Sequence, residues 1–215
     1  MLLSHCRKAK AALVMSTCGV YKPHEDPWHA YRETDPLGDS QLPTVPTYSV
    51  SKLGEEAVAR TCARLFDLPV VIARMNAAYG PNGGVPAFHL DAITAGEVVR
   101  VRWDPNPYSL IHERDIIEQL PAVLAAASTR ATIVNWGGDQ AVAAQDWCAY
   151  IGELLGVAAD LEVHEAPGSQ KGVVCDTAKR ASLVGRCRVD WRQGIRELVR
   201  THESGGLLNQ PSEER

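Results

Sequence analysis

Short apolar runs along the chain alternate with longer segments in which apolar residues recur every three or four positions. The runs at residues 11–16 (AALVMS), 68–73 (LPVVIA) and 131–135 (ATIVN) predict strands buried on both faces of a parallel sheet. Between the first two runs, residues 48–66 carry an apolar stripe at helical spacing, which predicts a crossover helix. A strand, a helix and a second buried strand together predict a right-handed βαβ unit.

The rest of the chain continues this alternation of helices and strands. Helices are predicted at residues 86–96, 114–127, 143–155, 177–183 and 191–201, and short strands at residues 98–102, 109–112 and 161–164. Residues 22–46 are polar and rich in Pro, with no period, which predicts a long loop of the kind that usually carries function. Residues 203–215 are polar and contain Gly, which predicts a disordered tail.

Composition narrows the class of protein. A chain of 215 residues with 45% hydrophobic residues can build one large domain, or one domain with a small annex. The net charge is -4 and the chain has no basic run, which argues against a nucleic-acid partner. No apolar window approaches the length of about 18 residues that a membrane span requires. The opening residues also lack the charge order of a signal peptide. We therefore expect a soluble cytoplasmic protein.

The six cysteines also support a cytoplasmic location. They are Cys6, Cys18, Cys62, Cys148, Cys175 and Cys187. None forms a CxxC pair, and their spacing indicates neither a zinc site nor a disulfide framework. Thiols scattered through apolar segments are typical of a reducing cytosol. We expect no metal site.

The segment TYSVSK at the start of the predicted crossover helix carries the clearest chemistry. Tyr48 and Lys52 are four residues apart, so both side chains project from one face of the helix. A neighbouring ammonium stabilises a phenolate, and such a tyrosine can exchange a proton with an alcohol or a carbonyl. By itself this spacing is more often a surface pair on an amphipathic helix, so its context decides the interpretation.

That context resembles a known family. Thr17 lies in the segment STCGVY at the end of the first predicted strand, and RMNAAYGP at residues 74–81 follows the second strand. With Tyr48-x-x-x-Lys52 between them, these segments resemble an extended short-chain dehydrogenase/reductase of the NAD-dependent epimerase/dehydratase family. Later segments resemble the same family: Ile111-His112 with Asp115, the turn NWGG at residues 135–138, and Asp190-Trp191 with Gly194-Ile195.

The resemblance implies a role for each motif residue. Tyr48 would be the catalytic acid/base, Lys52 would bind the nicotinamide ribose, and Thr17 would hold the substrate oxygen. The alternative for Thr17 is a simple cap at the end of a strand. The turn whose backbone would lie beside the nicotinamide comprises Met75, Asn76 and Ala77. The implied reaction is hydride transfer at a hydroxyl or carbonyl carbon, with NAD or NADP as cofactor. A sugar or a sugar nucleotide is one candidate substrate.

Departures from the family pattern limit the choice of reaction and substrate. Cys18-Gly19 stands where dehydratases carry Asp-Glu, which argues against elimination of water. Ala77 and Tyr108 replace an Asn and an Arg that contact the diphosphate of a sugar nucleotide, and residues 166–168 (APG) lack a further Arg. The cations that could substitute are Arg100, Arg102, Arg114 and Lys171.

The glycine-rich turn that binds the cofactor's pyrophosphate is absent from the sequence. No GxxGxxG occurs, and the family places this turn after its first strand. The resemblance therefore implies an α/β fold that is the C-terminal part of a Rossmann-type doubly wound parallel sheet. It would lack its first βαβ units and would carry a small α/β substrate-binding portion. The strand at residues 11–16 would then be an exposed edge.

These expectations assign the chain to three parts. Residues 1–82 would be the remainder of the NAD(P)-binding domain, residues 83–202 a mixed substrate-binding portion with returning sheet elements, and residues 203–215 the tail. We expect residues 1–215 alone to bind NAD(P) poorly and to be inactive, unless an upstream segment or a partner chain supplies the missing strands. The alternative is a truncated, non-catalytic relative that acts as a binding protein. A homodimer through the Tyr48–Lys52 helix would also follow from the resemblance.

Overall fold

The computed structural model describes residues 2–5, 8–40 and 45–204. Its helices are α1 (Leu2–His5), α2 (Tyr48–Leu65), α3 (Val85–Thr94), α4 (Glu113–Ala125), α5 (Ala144–Leu155), α6 (Ala178–Val184) and α7 (Trp191–Glu203). Its strands are β1 (Ala12–Thr17), β2 (Ala30–Tyr31), β3 (Val70–Met75), β4 (Ala78–Tyr79), β5 (Val99–Val101), β6 (Pro107–Ser109), β7 (Ile111–His112), β8 (Thr132–Trp136), β9 (Ala141–Ala143), β10 (Leu161–Val163) and β11 (Val174–Cys175).

The three predicted core strands form one parallel sheet in the order β1-β3-β8. Val71 of the central strand pairs with Leu13 on one side and with Thr132 on the other. Within the described residues, β1 therefore lies at an edge of the sheet, as the sequence predicted. Within the central strand β3, the four residues from Val70 to Ala73 are fully buried.

Helices cover both faces of this sheet. On one face, Ala59 and Ala63 of α2 pack against alternate residues of β3, Val70 and Ile72. On the other face, Val71 and its neighbours pack with Val123 of α4 and with Trp136, which explains why the central strand reads as a continuous apolar run.

The second part of the chain builds a larger core from three helices. Leu90 of α3, Trp147 of α5 and Ile195 of α7 are completely buried in it. Four two-stranded pairs surround this core: β5 with β10, β4 with β7 and β2 with β11 are parallel, and β6 with β9 is antiparallel.

The structure differs from the predictions at several short elements. The predicted loop at residues 22–46 contains β2, which pairs with β11. The strand predicted at residues 109–112 is two strands, because Ser109 pairs with Ala141 while Ile111 pairs with Ala78. Helix α7 extends to Glu203, which the sequence placed in the tail, and residues 205–215 of that predicted tail lie outside the described residues.

Candidate active-site pocket

A pocket of about 240 Å³ lies at the carboxyl ends of β1 and β3. Five of the six predicted site residues line it: Thr17, Tyr48, Met75, Asn76 and Ala77. Ligands of open α/β sheets bind at this end of the strands. The fold therefore brings these three separate segments of the sequence together in one pocket.

Thr17 ends β1 and begins the short 3-10 turn Cys18–Val20. Its Oγ1 accepts a hydrogen bond of 3.1 Å from the Gly19 amide, so the strand-end cap that the sequence allowed is present. That bond uses the hydroxyl oxygen as acceptor. The hydroxyl hydrogen therefore stays available to an oxygen in the pocket.

Tyr48 is the first residue of α2, and 40% of its surface is exposed. The helix start is fixed by Ser49, whose buried Oγ lies 3.0 Å from the Gly19 carbonyl oxygen and 3.1 Å from that of Ser40. Because Gly19 follows Thr17 closely, this contact holds the Tyr48 side and the Thr17 side of the pocket at a fixed separation.

Lys52 is the one predicted site residue that does not line the pocket. Its Nζ donates a 2.8 Å hydrogen bond to the carbonyl oxygen of Met15 and forms a 2.7 Å ion pair with Glu55. Lys52 therefore lies over the edge strand β1. The structure does not place its ammonium beside a ligand position in the pocket.

Asn76 ties the end of β3 to the neighbouring segments. Its Oδ1 accepts hydrogen bonds from the amides of Ala77 at 2.8 Å and Ser109 at 3.1 Å. Its Nδ2 donates to the Val173 carbonyl oxygen at 2.6 Å. Both ends of the amide are thus engaged, so Asn76 gives the pocket a rigid wall and not a polar ligand group.

A buried ion pair below the pocket was not predicted from the sequence. Arg74 and Glu56 form a bidentate pair at 2.9 and 2.8 Å, and Ser16 donates to the same carboxylate at 2.6 Å. Burial alone lowers the pKa of Arg74, but hydrogen bonds from its guanidinium to Glu56 and Tyr21 hold that pKa above its ordinary value. The sequence contains a signal for this pair, because Glu56 lies three residues before Ala59 on the face of α2 that packs against the sheet.

Arg102 is the cation of the pocket. Its Nη2 donates a 2.8 Å hydrogen bond to the Tyr108 hydroxyl, and both side chains line the cavity. The other three candidate cations form ion pairs elsewhere: Arg100 with Glu162, Arg114 with Glu197, and Lys171 with Glu25. The resemblance predicts an arginine at the position of Tyr108, and the bend after β5 places Arg102 beside that tyrosine.

Cys18, next to Thr17, is fully buried and donates its S–H to the Arg74 carbonyl oxygen at 3.2 Å. Burial raises the pKa of the Cys18 thiol well above its ordinary value, and contact with Cys175 acts in the same direction. A thiol held in this state does not exchange protons near neutral pH.

Two further findings concern the part of the chain that the structure describes. It contains no group of three or more His, Cys, Asp or Glu side chains arranged to hold a metal ion. None of its helices combines the length and the apolar character needed to cross a membrane.

A parallel sheet covered by helices on both faces, with a pocket at the carboxyl ends of its strands, is the architecture of the doubly wound α/β class of proteins. The profile of the NAD dependent epimerase/dehydratase family matches residues 1–137, more than half of the chain. The chain belongs to this family, whose members are NAD-dependent.

Sequence relatives agree with this assignment. A trifunctional UDP-glucose 4,6-dehydratase/UDP-4-keto-6-deoxy-D-glucose 3,5-epimerase/UDP-4-keto-L-rhamnose-reductase of Arabidopsis thaliana is 29% identical over 188 residues. This match covers 79% of the chain and 28% of that relative. The chain thus spans a little over a quarter of this curated relative.

Solved structures confirm the fold. UDP-glucuronic acid 4-epimerase from Bacillus cereus, in complex with UDP-glucuronic acid and NAD, gives a TM-score of 0.79 at 22% identity. UDP-glucose 4-epimerase from Thermus thermophilus, in complex with NAD, gives 0.80 at 20% identity. The matches cover 94% of this chain but 65% and 67% of those chains. The expected fold class, a part of a Rossmann-type α/β protein, is confirmed.

The described residues fit one end of NAD and not the other. Thr17, Tyr48 and the turn at residues 75–77 surround a space that suits a ring beside a substrate oxygen. The spacing GxxGxxG, which cradles the pyrophosphate, does not occur in residues 2–5, 8–40 and 45–204. The glycines that do open a helix, Gly83 and Gly84 before α3, form a tight turn in which Gly83 and Gly80 bond to each other. The pocket is also smaller than the roughly 300–1,000 Å³ of complete ligand sites.

Proposed function

We propose that this chain carries the acid/base and substrate half of an NAD(P)-dependent oxidoreductase or epimerase site. The reaction is hydride transfer at a hydroxyl or carbonyl carbon of a sugar nucleotide. The observation that supports this most directly is the single pocket shared by Thr17, Tyr48 and residues 75–77. The chain by itself is inactive, because it lacks the glycine-rich turn for the cofactor.

The proposed mechanism assigns the proton to Tyr48. When bound, NAD(P) supplies the carbon that accepts or returns the hydride. As an alcohol becomes a carbonyl, its hydroxyl proton passes to the phenolate oxygen of Tyr48, and the resulting phenol returns the proton in reduction. Thr17 donates its hydroxyl hydrogen to the same substrate oxygen and fixes its position. Lys52 stabilises the phenolate of Tyr48 once its hydrogen bond to the Met15 carbonyl oxygen is released.

Arg102 identifies the proposed substrate as an anion. A guanidinium that lines the pocket favours a diphosphate or carboxylate through charge-assisted hydrogen bonds. Relatives of known structure bind UDP-glucuronic acid, which carries both groups. A dehydratase is not proposed, since the buried, protonated Cys18 stands where elimination of water needs a carboxyl acid.

Substrate binding tests this proposal on the chain alone. Titration of UDP-glucuronic acid should show binding that weakens about 10- to 100-fold in Arg102→Gln, which corresponds to the loss of one charge-assisted bond. Arg100→Gln is the matched control: Arg100 lies two residues away, is largely exposed and pairs with Glu162. Equal affinities of the two variants, or no binding by the parent chain, would refute the substrate assignment.

Tyr48→Phe separates the enzyme from the non-catalytic alternative. In an enzyme assembled from this chain and a nucleotide-binding half, loss of the hydroxyl should lower kcat at least 100-fold while nucleotide-sugar affinity is unchanged. Tyr150→Phe is the control, because the Tyr150 hydroxyl binds Arg196 outside the pocket. Unchanged turnover in Tyr48→Phe would refute the proposed mechanism, whereas no turnover in the assembled parent protein would favour a binding protein. For the chain alone, titration with NAD⁺ and NADP⁺ should show no binding at micromolar concentrations.

Three finer assignments stand as proposals beside this one. We divide the described chain near residue 82 into a nucleotide-binding remainder and a substrate-binding portion. We assign it to the cytoplasm from its scattered cysteines. We also propose a homodimer through the exposed outward stripe of α2 (Ala57, Arg60, Thr61 and Arg64), which light scattering on the purified chain would detect.

A further inference from the structure

Two thiols from distant parts of the sequence meet behind the pocket. Cys18 begins the 3-10 turn that follows β1, and Cys175 ends β11. Both are buried in one cluster with the stacked rings of Tyr21 and Tyr31. The two thiol groups are in hydrogen-bond contact with each other. The fold thus creates a dithiol that the cysteine spacing in the sequence does not indicate.

The surroundings make the two sulfurs unequal. Cys18 is 0% exposed and Cys175 is 5% exposed. The Asn76 side-chain amide donates to the Cys175 sulfur at 3.6 Å. The main cause that lowers the pKa of Cys175 is a hydrogen bond with the Cys18 thiol; hydrogen bonds with Ser109 and Asn76 act in the same direction and against burial. Cys175 is therefore the sulfur that ionises, while Cys18 keeps its proton.

The pocket wall is built from residues that touch or flank this dithiol. Thr17 and Gly19, on either side of Cys18, line the pocket, and so does Asn76. Asn76 also contacts the Cys175 sulfur. A displacement of either sulfur is therefore transmitted to the pocket wall.

We propose that Cys18 and Cys175 form a peroxide-sensitive dithiol, and that its disulfide changes the shape of the pocket. The Cys175 thiolate attacks one oxygen of hydrogen peroxide, the O–O bond breaks, and the other oxygen takes up a proton and leaves as water. The Cys18 sulfur then attacks the resulting Cys175 sulfenic acid, and the Cys18 proton leaves with the hydroxyl group as a second water. The two thiols lose two electrons and two protons in total, and the peroxide is reduced by the same two electrons.

Two other thiols of the described chain lack these features. Burial raises the pKa of the Cys148 thiol to about 12, and it raises that of the Cys187 thiol as well. Thiols react with peroxide as thiolates, so Cys175 should react before either of them. A thiolate beside a resolving cysteine is typical of redox sensors, and disulfides of cytosolic proteins are usually transient ones of this kind.

Oxidation alters contacts on both sides of the pocket wall. A disulfide holds its sulfurs about 2 Å apart, which is closer than two thiols in hydrogen-bond contact. Cys18 also loses the S–H that it donates to the Arg74 carbonyl oxygen at 3.2 Å. The turn after Thr17 and the Asn76 side chain are therefore drawn towards each other. The expected effect on substrate affinity rests on the proposed function, whereas formation of the disulfide does not.

Peptide mapping of the full chain tests the disulfide directly. The reduced chain is treated with hydrogen peroxide, remaining thiols are capped with iodoacetamide, and digested peptides are analysed by mass spectrometry. The peptides of Cys18 and Cys175 should appear joined, two hydrogens lighter than their sum, and dithiothreitol should separate them. Circular dichroism should be unchanged by the treatment, which shows that the folded chain reacted. No linked pair, or oxidation of Cys62 or Cys187 ahead of it, would overturn the proposal.

Single substitutions assign the role of each sulfur. Cys18→Ser should leave Cys175 as a sulfenic acid that dimedone traps, and Cys175→Ser should leave Cys18 as a thiol. Cys187→Ser is the matched control and should give the same linked pair as the parent chain. A sulfenic acid on Cys18 in Cys175→Ser would overturn the assigned order of the two steps.

Substrate affinity gives the second readout. Binding of UDP-glucuronic acid should weaken at least tenfold in the oxidised chain and recover after dithiothreitol, while Cys175→Ser should bind equally before and after peroxide. A linked chain with unchanged affinity would overturn the effect on the pocket. If the reduced chain does not bind UDP-glucuronic acid, the proposed function fails, and the peptide map still decides whether the disulfide forms.

Discussion

The ion pair between Glu56 and Arg74 gives the sharpest test of the packing below the pocket. Glu56 is 3% and Arg74 is 1% exposed, and two hydrogen bonds join the guanidinium to the carboxylate. Glu56→Gln keeps the shape of the side chain but removes its charge. Because an arginine guanidinium keeps its proton in proteins, Arg74 then stays charged in a buried site without a counter-charge.

The expected loss is large because the remaining charge is buried. Breaking a buried ion pair by removing one partner costs about 3–5 kcal/mol. The Tyr21 hydroxyl, 3.0 Å from Arg74 Nη1, and the Glu33 carbonyl oxygen, 3.2 Å away, compensate a part of the charge and place the loss near the lower limit. With a urea dependence of about 2 kcal/mol per molar, the unfolding midpoint should fall by about 1.5 M.

Urea unfolding of purified variants, followed by circular dichroism, measures this difference. Glu118→Gln is the matched control, because the ion pair of Glu118 with Arg188 is exposed and should contribute less than about 1 kcal/mol. The double variant Glu56→Leu/Arg74→Met removes both charges and should recover much of the stability. A loss below about 1 kcal/mol in Glu56→Gln would show that the buried charge is solvated or neutralised, and would refute the reasoning.

Three further predictions concern separate parts of the chain. Burial lowers the pKa of His89 from 6.5 to about 4, so the stability that its neutral form contributes is present above pH 6.5 and is lost as the pH falls towards 4. Unfolding midpoints between pH 4 and 7 should therefore decline less in His89→Gln than in the parent chain. Gly54→Ala should raise the melting temperature, since an added methyl group meets no atom within 4 Å and alanine favours helix α2 by about 0.5–1 kcal/mol. Gly84→Ala should lower the melting temperature by more than Gly54→Ala raises it, because Gly84 has a φ of 103° and its added methyl group would overlap the Ala78 carbonyl oxygen.

The sequence predicted those strands and helices whose own residues show a hydrophobic run or a regular hydrophobic spacing. The strand β3 is a continuous apolar run because it is buried on both faces. The helix α2 was predicted from its apolar spacing, although Val50, Val58 and Leu65 of that helix are exposed in the structure. The short strands β2 and β11 carry no such pattern. Each is two residues long and exists because Ala30–Tyr31 lies beside Val174–Cys175 in the folded chain. Contacts between such distant segments are a property of the tertiary structure.

The same distinction applies to the pocket. Thr17, Tyr48 and residues 75–77 were predicted from the resemblance of their motifs to the family, and in the structure they lie at the ends of β1, α2 and β3 that line one pocket. The bond from Lys52 to Met15 and the pair of Glu56 with Arg74 were not predicted. Both depend on which face of α2 turns towards the sheet, and the motif spacing of four residues does not determine that orientation.

One wall of the pocket is fixed, whereas Lys52, which lies outside the pocket, is held at the edge of β1. Asn76 and Ser49 have their polar atoms engaged with neighbouring backbone, so this wall keeps its shape. Lys52 donates a hydrogen bond to the Met15 carbonyl oxygen at the edge of β1, and water can bind the same oxygen. Releasing it costs about one charge-assisted hydrogen bond, 1.5–3 kcal/mol, which a replacement donor offsets. The position of Lys52 is therefore set by competition for the Met15 carbonyl oxygen, and not by the four-residue spacing of the motif.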